Sequence, residues 1–354
     1  MTRAWVEIDL GALRRNGAAM AARVDALLPM IKADGYGTGA IAAARALEAL
    51  APWGFGVATV DEGCELRDAG IERRIIVFTP LLPADLARAR AARLTPALGT
   101  RDQIAAWRGT GGGAWHLAID TGMHRAGAPW DAVAELRPLL EAMPPEGAFT
   151  HFHSAERDDG SMPEQERRFE IALAQLPARP PLAHTENSAA LARTSRSRWS
   201  LGRPGIFLYG VGSGARALVQ PEPVVRLCAP IVELHGLRDG ESVSYNATYR
   251  ARGTRRIATL PIGYADGYRR ALSNRGEAIV GGRRVPIAGI VTMDMTMLDV
   301  TGVPCAVGDV ATLIGRDGDQ EITVEAVANG GALSPYEVLT GLRSRLDRRH
   351  VPNA

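Results

Sequence analysis

The stretch LLPMIKADGYGTGA (27–40) decides the fold interpretation: an apolar run ends in a lysine, and a glycine-rich turn follows. The next residues, AIAAARALEAL (40–50), repeat apolar side chains at three- and four-residue spacing, as amphipathic helices do. The same alternation continues to about residue 210. Seven further apolar runs predict strands: GFGVAT (54–59), IIVFTP (75–80), LTPALG (94–99), WHLAID (115–120), GAFTHF (147–152), LAHTEN (182–187) and WSLGRPG (199–205).

Helix-like segments separate these runs, among them VDEGCELRDAG (60–70), PADLARARAAR (83–93), WDAVAELRPLLEAM (130–143) and PEQERRFEIALAQL (163–176). Eight strands, each followed by a helix, predict an α/β protein with an N-terminal (β/α)8 TIM-like barrel. An open doubly wound sheet also alternates in this way, but it rarely needs eight units.

The pattern changes after residue 222, where turn-separated β segments replace the alternation. They are VVRLCAPIVELHGL (224–237), ESVSYNATYR (241–250), RRIATLPIGY (255–264), EAIVGGRRVPIAGIVTM (277–293) and DVATLIG (309–315), with helices predicted at 323–331 and 335–346. The sequence therefore predicts two domains: a barrel over residues 10–222 and a mainly β C-terminal domain over 223–354. We expect an N-terminal strand within residues 1–9 to join the second domain.

Bulk composition narrows the class of protein. A net charge of +2 over 354 residues argues against nucleic acid or an anionic membrane as the main partner. No segment approaches the ~20 continuous apolar residues of a membrane helix, and residues 1–16 show no apolar signal segment. The cysteines Cys64, Cys228 and Cys305 fit neither a zinc pattern nor a disulfide framework, so we expect a reducing cytoplasm and no metal.

Lys32 is the only lysine among 41 basic residues. Drift toward arginine in a GC-rich genome explains this count as well as a chemical requirement does. The chemical requirement would be an amine that loses its proton and attacks a carbonyl, which a guanidinium does not do. The position of Lys32 has to decide between the two explanations.

Several polar residues fall at predicted strand ends, where barrel enzymes carry their reactive groups. Lys32 ends the first strand, and the others are Asp120, His151, Asn187 with Ser188, and Arg203. A lone histidine at such a place is usually structural, but five positions on one rim indicate a site.

Two segments of this rim suit a phosphate group. The turn after Lys32 offers glycines and the Tyr36 hydroxyl before a helix, and GRPGIFLYG (202–210) offers the amides of Gly205 and Ile206. A nucleotide-binding loop would place its lysine after the glycines, whereas here the lysine precedes them. A phosphate beside a reactive amine fits pyridoxal 5'-phosphate (PLP) better.

The chain resembles the alanine racemase family of PLP enzymes over nearly its whole length. The resemblance rests on ten segments in the family's order: AWVEIDLGALRRN, MIKADGYGTG, DTGMHRAG, THFHSAE, HTENSA, GRPGIFLYG, VSYNATY, PIGYADGYRR, VTMDMTMLDV and PYEVLTGL. It implies a barrel followed by a β domain, and an enzyme that interconverts L- and D-alanine to supply D-alanine for peptidoglycan.

The resemblance also implies a role for individual residues. Lys32 carries PLP and is one of two acid–base groups; Tyr245, from the partner subunit of a homodimer, is the other. Racemisation removes the α-proton from one face and returns a proton to the other, so it needs a group on each face.

The remaining implied roles concern cofactor and substrate binding. Arg203 bonds the pyridine nitrogen, with His151 beside the ring and bonded to Arg203. Tyr36, Ser188, Gly205 and Ile206 hold the phosphate. Arg125 and the backbone at Met293 of the partner bind the substrate carboxylate, and Tyr264 and Asp294 of the partner line the entrance.

Three positions depart from the family pattern. Many members carry a carbamylated lysine where this chain has Ala118, so Arg125 must be oriented otherwise. Many carry an arginine where this chain has Ile290, and some carry a phosphate-binding tyrosine where it has Ser344.

Other functions stay open at this point. A racemase of serine or of basic amino acids is the nearest alternative. A non-catalytic PLP-binding protein on the same barrel usually lacks the C-terminal domain, and a decarboxylase of related fold needs an acidic residue for the pyridine nitrogen, where this chain has Arg203.

Overall fold

The computed structural model describes residues 3–351. Within them the chain forms two compact units: one contains Leu13–Gly35 and Ala40–Glu222, and the other contains the residues up to Ala12, Tyr36–Gly39 and the residues from Pro223 onward. We call them the barrel unit and the β unit. No helix in residues 3–351 has the length and apolar character needed to cross a membrane.

The first half of the chain alternates strands and helices. Its strands are β1 (Trp5–Asp9), β2 (Ala26–Leu27), β3 (Gly54–Val57), β4 (Arg74–Val77), β5 (Thr95–Leu98), β6 (His116–Asp120), β7 (Ala128–Pro129), β8 (Gly147–Phe149), β9 (Leu182–His184) and β10 (Leu201–Gly202). Its helices are α1 (Leu10–Ala21), α2 (Ala40–Glu48), α3 (Val60–Asp68), α4 (Pro83–Ala91), α5 (Arg101–Gly109), α6 (Arg137–Ala142), α7 (Ser161–Ala174) and α8 (Ser188–Arg193). A one-turn helix at Lys32–Tyr36 and 3₁₀ turns at Val133–Leu136 and Ile206–Tyr209 complete it.

Eight parallel strands of the barrel unit, whose residues are all described, close into a ring. Strands β3, β4, β5, β6, β8 and β9 pair in that order, and β10 pairs with β2. A bridge between Met30 and Gly56 joins β2 to β3. The Ser200 amide donates to the Ala183 carbonyl at 3.1 Å, which joins β10 to β9. The predicted (β/α)8 barrel is therefore confirmed, with β7 as a short addition beside β6.

Helix starts in the barrel unit follow local capping chemistry. Thr59 and Glu62 form a capping box at α3, and Thr100 and Gln103 form one at α5. One predicted helix is wrong: β10 is followed by the 3₁₀ turn Ile206–Tyr209, which ends at Gly210 in the left-handed region (φ 87°).

The β unit is mainly β, as predicted. Its strands after β1 are β11 (Val225–Pro230), β12 (Glu233–Leu237), β13 (Ser242–Val243), β14 (Tyr249–Arg250), β15 (Arg255–Leu260), β16 (Glu277–Val280), β17 (Arg283–Pro286), β18 (Thr296–Asp299), β19 (Val310–Asp317), β20 (Gln320–Ile322) and β21 (Asp347–Val351). Helices α9 (Val324–Gly331) and α10 (Pro335–Thr340) and 3₁₀ turns at Tyr245–Ala247 and Arg270–Leu272 accompany them.

The main sheet of the β unit has the order β17-β16-β19-β11-β1-β21, with β20 on β19. Strands β12-β15-β18 form a second sheet, and β13 pairs with β14. Strand β1 runs antiparallel to β11 and parallel to β21, so the start of the chain is part of this sheet. The helix predicted to reach residue 346 ends at Thr340, and β21 follows where no strand was predicted.

Candidate active site

Lys32 begins a turn of unusual hand. Ala33, Asp34, Gly35 and Tyr36 all have φ between 53° and 58°, and the Gly35 amide donates to the Ile31 carbonyl at 3.0 Å. The left-handed conformation costs non-glycine residues roughly 1–2 kcal/mol each, so the surroundings must hold it. Glu62 is one such support, because its Oε1 accepts a hydrogen bond from the Ala33 amide at 2.8 Å.

The amine of Lys32 is mostly withdrawn from water. Burial lowers its pKa below the ordinary value of 10.5, and the positive charge of Arg125 lowers it further, while the Glu62 carboxylate raises it. A larger fraction of the amine is consequently neutral near pH 7 than for a free lysine. A neutral amine is the form that attacks a carbonyl or accepts a proton.

Arg203 follows β10 and is fully buried, with 4% of its surface exposed. Its Nη1 donates to the Nδ1 and the carbonyl oxygen of His184 at 2.6 and 2.9 Å. Its Nη2 donates to the carbonyl oxygens of Thr150 and Thr185 at 2.7 and 3.0 Å. Burial lowers its pKa to about 9, so the guanidinium stays protonated at neutral pH. Nε has no hydrogen-bond partner among residues 3–351.

His151 lies near the same positive charges. Burial lowers its pKa to about 3, and Arg203, Arg125 and Lys32 act in the same direction, so its ring is neutral near pH 7. The expected hydrogen bond to Arg203 is wrong, because within residues 3–351 the histidine that accepts from Arg203 is His184. Strand order explains this difference, since β9, which ends in His184, lies beside β10, which Arg203 follows.

The predicted phosphate-binding residues of the barrel unit lie together. Ser188 begins α8, and its Oγ accepts hydrogen bonds from the amides of Gly205 and Phe207 at 2.8 and 3.4 Å. Asn187 caps this helix by accepting from the amides of Ala189 and Ala190. The amide of Ile206 takes part in no hydrogen bond among the described residues. Ser188 and the 3₁₀ turn after β10 therefore form one polar corner.

Arg125 is exposed, and it forms no hydrogen bond or ion pair with residues 3–351. Its loop is braced instead. Asp120 accepts from the amides of Gly122 and His124, and its carboxylate lies 3.3 Å from the His124 ring. Ala118 packs in an apolar cluster with Ala97, Phe149 and Phe78, so no polar side chain braces Arg125 from that position.

Gln165 links this loop to the one that carries His151. Its Nε2 donates to Thr121 Oγ1 and to the His151 carbonyl, at 3.2 and 3.1 Å. Its Oε1 accepts from the His153 amide at 3.1 Å. Neither Gln165 nor His184 was among the predicted site residues, although His184 begins the HTENSA segment.

Tyr36 belongs to the β unit. It is buried, and its ring centroid lies 6.1 Å from that of Tyr336. Burial raises its pKa, and the neighbouring Tyr336 adds to the effect, so the hydroxyl keeps its proton at any working pH. Tyr336 was not a predicted site residue, while Ser344, which stands where some family members carry a tyrosine, is exposed.

Tyr245 stands on a strained turn between β13 and β14, with 69% of its surface exposed. Its neighbours Ser244, Asn246 and Ala247 have φ values of 67°, 61° and 46°. Gly289 (φ 83°) is required beneath them, because a Cβ there would lie 2.8 Å from the Val243 carbonyl oxygen. A turn held in this way presents the tyrosine away from its own unit.

The other three residues predicted for the entrance and the carboxylate lie on exposed loops of the β unit. Tyr264 donates its amide to the Thr292 carbonyl at 3.0 Å, and Met293 accepts from the Ala265 amide through its carbonyl oxygen. The Met293 amide has no acceptor among residues 3–351. Asp294 pairs with Arg345 at 2.7 Å, and Ile290 accepts the Ser244 hydroxyl through its carbonyl.

Comparison with known proteins identifies the family of this chain. Residues 8–213 match the family model described as "Alanine racemase, N-terminal domain", and 224–350 match "Alanine racemase, C-terminal domain". An alanine racemase of Citrifermentans bemidjiense is 38% identical, over 97% of each chain.

Solved structures agree as well. An alanine racemase from Bacillus anthracis with bound L-Ala-P superposes with a TM-score of 0.92 and 30% identity, over 99% of this chain and 95% of that one. One from Bartonella henselae with covalently bound pyridoxal phosphate gives 0.92 and 27%, over 99% and 100%. The chain belongs to the alanine racemase family.

Proposed function

We propose that this protein is a PLP-dependent alanine racemase that interconverts L- and D-alanine. The observation that carries the proposal is Lys32 itself: the sole lysine follows barrel strand β2 and its bridge at Met30, is mostly buried, and has a lowered pKa. The relatives are named alanine racemases over nearly their full length.

The residues of the barrel unit fit PLP. Nε of Arg203 is a protonated donor without a protein acceptor among residues 3–351, as the acceptor nitrogen of a pyridine ring requires. The Ser188 hydroxyl and the Ile206 amide supply donors for a phosphate, and the Gly205 amide would help to hold it by donating to Ser188 Oγ, which orients that hydroxyl. When bound through Lys32, PLP supplies an electron-withdrawing ring that acidifies the α-proton of an amino acid.

Arg203 limits what that ring does. A guanidinium keeps its proton, so Arg203 would donate to the pyridine nitrogen without protonating it. By withholding a proton, Arg203 would give weaker electron withdrawal than a carboxylic acid at that position, which would limit side reactions such as transamination. His151, being neutral, adds no positive charge beside it.

Two groups move the proton in this proposal. Lys32 takes it from or returns it to one face of the α-carbon, and Tyr245 of a partner subunit acts on the other face. The exposure of Tyr245 on its strained turn supports a role toward a second chain. The protein would therefore be a homodimer with composite sites.

The substrate carboxylate is assigned to Arg125 and to the Met293 amide of the partner. Arg125 has no protein partner within residues 3–351, and the Met293 amide has no acceptor there, so both are available to a carboxylate. Tyr264 and Asp294 of the partner would line the entrance. Tyr36 would contribute its hydroxyl to phosphate binding.

The place of this activity in the cell follows from its chemistry. D-alanine is a precursor of peptidoglycan, and we place its synthesis by this protein in the cytoplasm. All three cysteines are unpaired, which suits a reducing compartment.

One experiment tests the function and the substrate together. The purified protein, reconstituted with PLP, is incubated separately with L-alanine, L-serine and L-lysine, and each product is resolved by chiral chromatography. We expect a racemic mixture from alanine and much slower reaction of the other two. If serine or lysine is racemised faster than alanine, that amino acid is the substrate instead. If none of the three is racemised, the proposal is refuted.

A further inference from the structure

A row of polar side chains leads away from Arg203 through the barrel unit; three of them are buried and the last, Glu146, is partly exposed. Arg203 Nη1 bonds His184 Nδ1 at 2.6 Å, and His184 Nε2 lies 2.8 Å from His116 Nδ1. His116 Nε2 then faces Glu146 Oε2 at 3.8 Å. We call Arg203, His184, His116 and Glu146 the buried relay.

The relay crosses the barrel from one end to the other. Arg203 follows β10 and His184 ends β9, whereas His116 begins β6 and Glu146 directly precedes β8. His184 and His116 have no exposed surface. A Cβ on Gly147 would lie 2.5 Å from the His116 ring, so the ring has room only because a glycine stands at that position.

Donor rules leave one arrangement of protons along the relay. A guanidinium only donates, so His184 Nδ1 accepts and its proton is on Nε2. His116 Nδ1 must then accept from His184, which puts the His116 proton on Nε2, toward Glu146. Every proton thus points from Arg203 toward the carboxylate.

The charges agree with this arrangement. Burial lowers the pKa of both histidines, so both are neutral near pH 7, and the facing His116 lowers the pKa of the Glu146 carboxyl, so it is ionised. Neither His116 Nε2 nor Glu146 Oε2 has a hydrogen-bond partner among the described residues, and at 3.8 Å the two atoms face each other without a hydrogen bond between them. On its other side Glu146 meets the exposed Arg74 at 3.3 Å.

We propose that Glu146 and His116 are positioning residues: they hold His184 in one tautomer, so that Arg203 keeps its Nε directed at the pyridine nitrogen. The contact between Arg203 Nε and a pyridine nitrogen rests on the proposed function. Without an acceptor at 146, His116 gains a second tautomer with its proton on Nδ1. Two N–H groups would then oppose each other between the histidines, unless His184 moved its proton to Nδ1, where the N–H would face Arg203.

The apo-protein provides the first test, because it needs no cofactor. In ¹⁵N-histidine-labelled protein, nitrogen shifts report which ring nitrogen carries the proton, and signals are assigned by loss in His116→Phe and His184→Phe. We expect both histidines to be neutral with the proton on Nε2 near pH 7. A proton on Nδ1 of His184 would overturn the inference whether or not the protein racemises alanine.

Matched variants provide the second test. Glu146→Leu removes the acceptor, Glu146→Gln keeps an acceptor oxygen without charge, and Arg74→Gln removes only the exposed ion pair. We expect Glu146→Leu alone to mix the tautomers, to change the visible absorption of bound PLP, and to lower kcat by roughly 10–100-fold with KM for alanine nearly unchanged.

The outcomes separate the two proposals. If Glu146→Leu keeps both tautomers and the wild-type spectrum and rate, the relay has no positioning role. The relay also has none if Arg74→Gln reproduces the full effect, since the ion pair would then explain it. If Glu146→Leu does not fold, Glu146→Gln provides the test. It keeps an acceptor oxygen, so each histidine should keep its single tautomer, and a mixture of tautomers would contradict the inference. If the wild-type protein shows the expected tautomers but does not racemise alanine, the proposed function is refuted and the inference about the relay is not.

Discussion

At the scale of single residues, the chemistry of Lys32 depends on two opposing neighbours. Arg125 lowers the pKa of its amine and Glu62 raises it, while burial has the largest effect and lowers it. Glu62 also fixes the turn after Lys32 through the Ala33 amide. The reactivity of the amine is thus set by burial, by Glu62 at the start of helix α3 and by Arg125 in the loop after β6.

The sole lysine makes this balance directly measurable. In apo-protein labelled with ¹³Cε-lysine, one side-chain signal titrates, and we expect its midpoint below 10.5. Glu62→Gln should lower the midpoint further and Arg125→Gln should raise it, because each removes one charge. Glu65→Gln, an exposed change on the same helix, is the control and should leave it unmoved. Shifts of opposite sign would disprove this electrostatic account.

His151 makes stability depend on pH. Its pKa is about 3 in the folded chain and 6.5 in the unfolded chain, so between these values only the unfolded chain binds the proton. The stabilisation is complete above pH 6.5 and is lost as the pH falls toward 3. Each such group contributes a slope of at most about 1.4 kcal/mol per pH unit.

Urea unfolding of the apo-protein between pH 7 and pH 4.5 tests this effect. We expect the free energy of unfolding to decrease as the pH is lowered, and to decrease less steeply in His151→Asn. His116 and His184 act in the same direction, so some slope should remain. His153→Asn, two residues away and exposed, serves as the control. An unchanged slope in His151→Asn would show that this histidine titrates normally.

At the scale of elements, helices α3 and α5 begin with the same kind of capping box, but the two boxes stabilise different parts of the chain. Glu62 and Gln103 each accept amide hydrogen bonds at the start of their own helix. Only Glu62 also reaches the Ala33 amide. One cap therefore supports a helix alone, and the other supports a helix and the turn that carries Lys32.

Paired alanine variants separate these two roles. Glu62→Ala and Gln103→Ala should each cost about 1 kcal/mol for the lost cap, and Glu62→Ala about 1 kcal/mol more for the Ala33 hydrogen bond. Urea midpoints measure these costs. The ¹³Cε-lysine signal of the apo-protein should shift or broaden in Glu62→Ala only. Equal spectra for the two variants would mean that Glu62 does not hold the turn.

At the scale of the whole molecule, the predicted two-base chemistry needs two chains. Tyr245→Phe should lower kcat roughly 10²–10⁴-fold, as loss of one acid–base group does. The change removes only an exposed hydroxyl, so the melting temperature should not move. Tyr264→Phe, at the proposed entrance, should lower kcat far less. A wild-type rate in Tyr245→Phe would exclude it as a base.

Subunit mixing tests whether the site is shared. Co-expressed Lys32→Ala and Tyr245→Phe chains should regain about a quarter of wild-type activity, because half the dimers are mixed and each mixed dimer has one intact site. Each variant alone should be nearly inactive. If each site came from a single chain, the mixture would stay inactive. Assays of the separately purified homodimers provide the baseline.

Much of this protein followed from local patterns in its sequence. Apolar periodicity predicted all eight barrel strands and the β-rich second half, because alternation is written in neighbouring residues. Lys32, as the only lysine at a strand end, was identifiable for the same reason. Helix ends were less predictable: residues 341–346 continue a helical pattern, yet the helix stops at Thr340 and the pairing of β21 with β1 follows.

Only the tertiary structure decided which groups meet. Arg203 bonds His184, not His151, because β9 lies beside β10, and the buried relay joins residues from four separate segments of the chain. The left-handed turn after Lys32 likewise needs Glu62 from helix α3, which follows the next barrel strand. The sequence determined the strands and the reactive lysine through local spacing. The electrostatic neighbours of that lysine depend instead on strand order around a closed barrel.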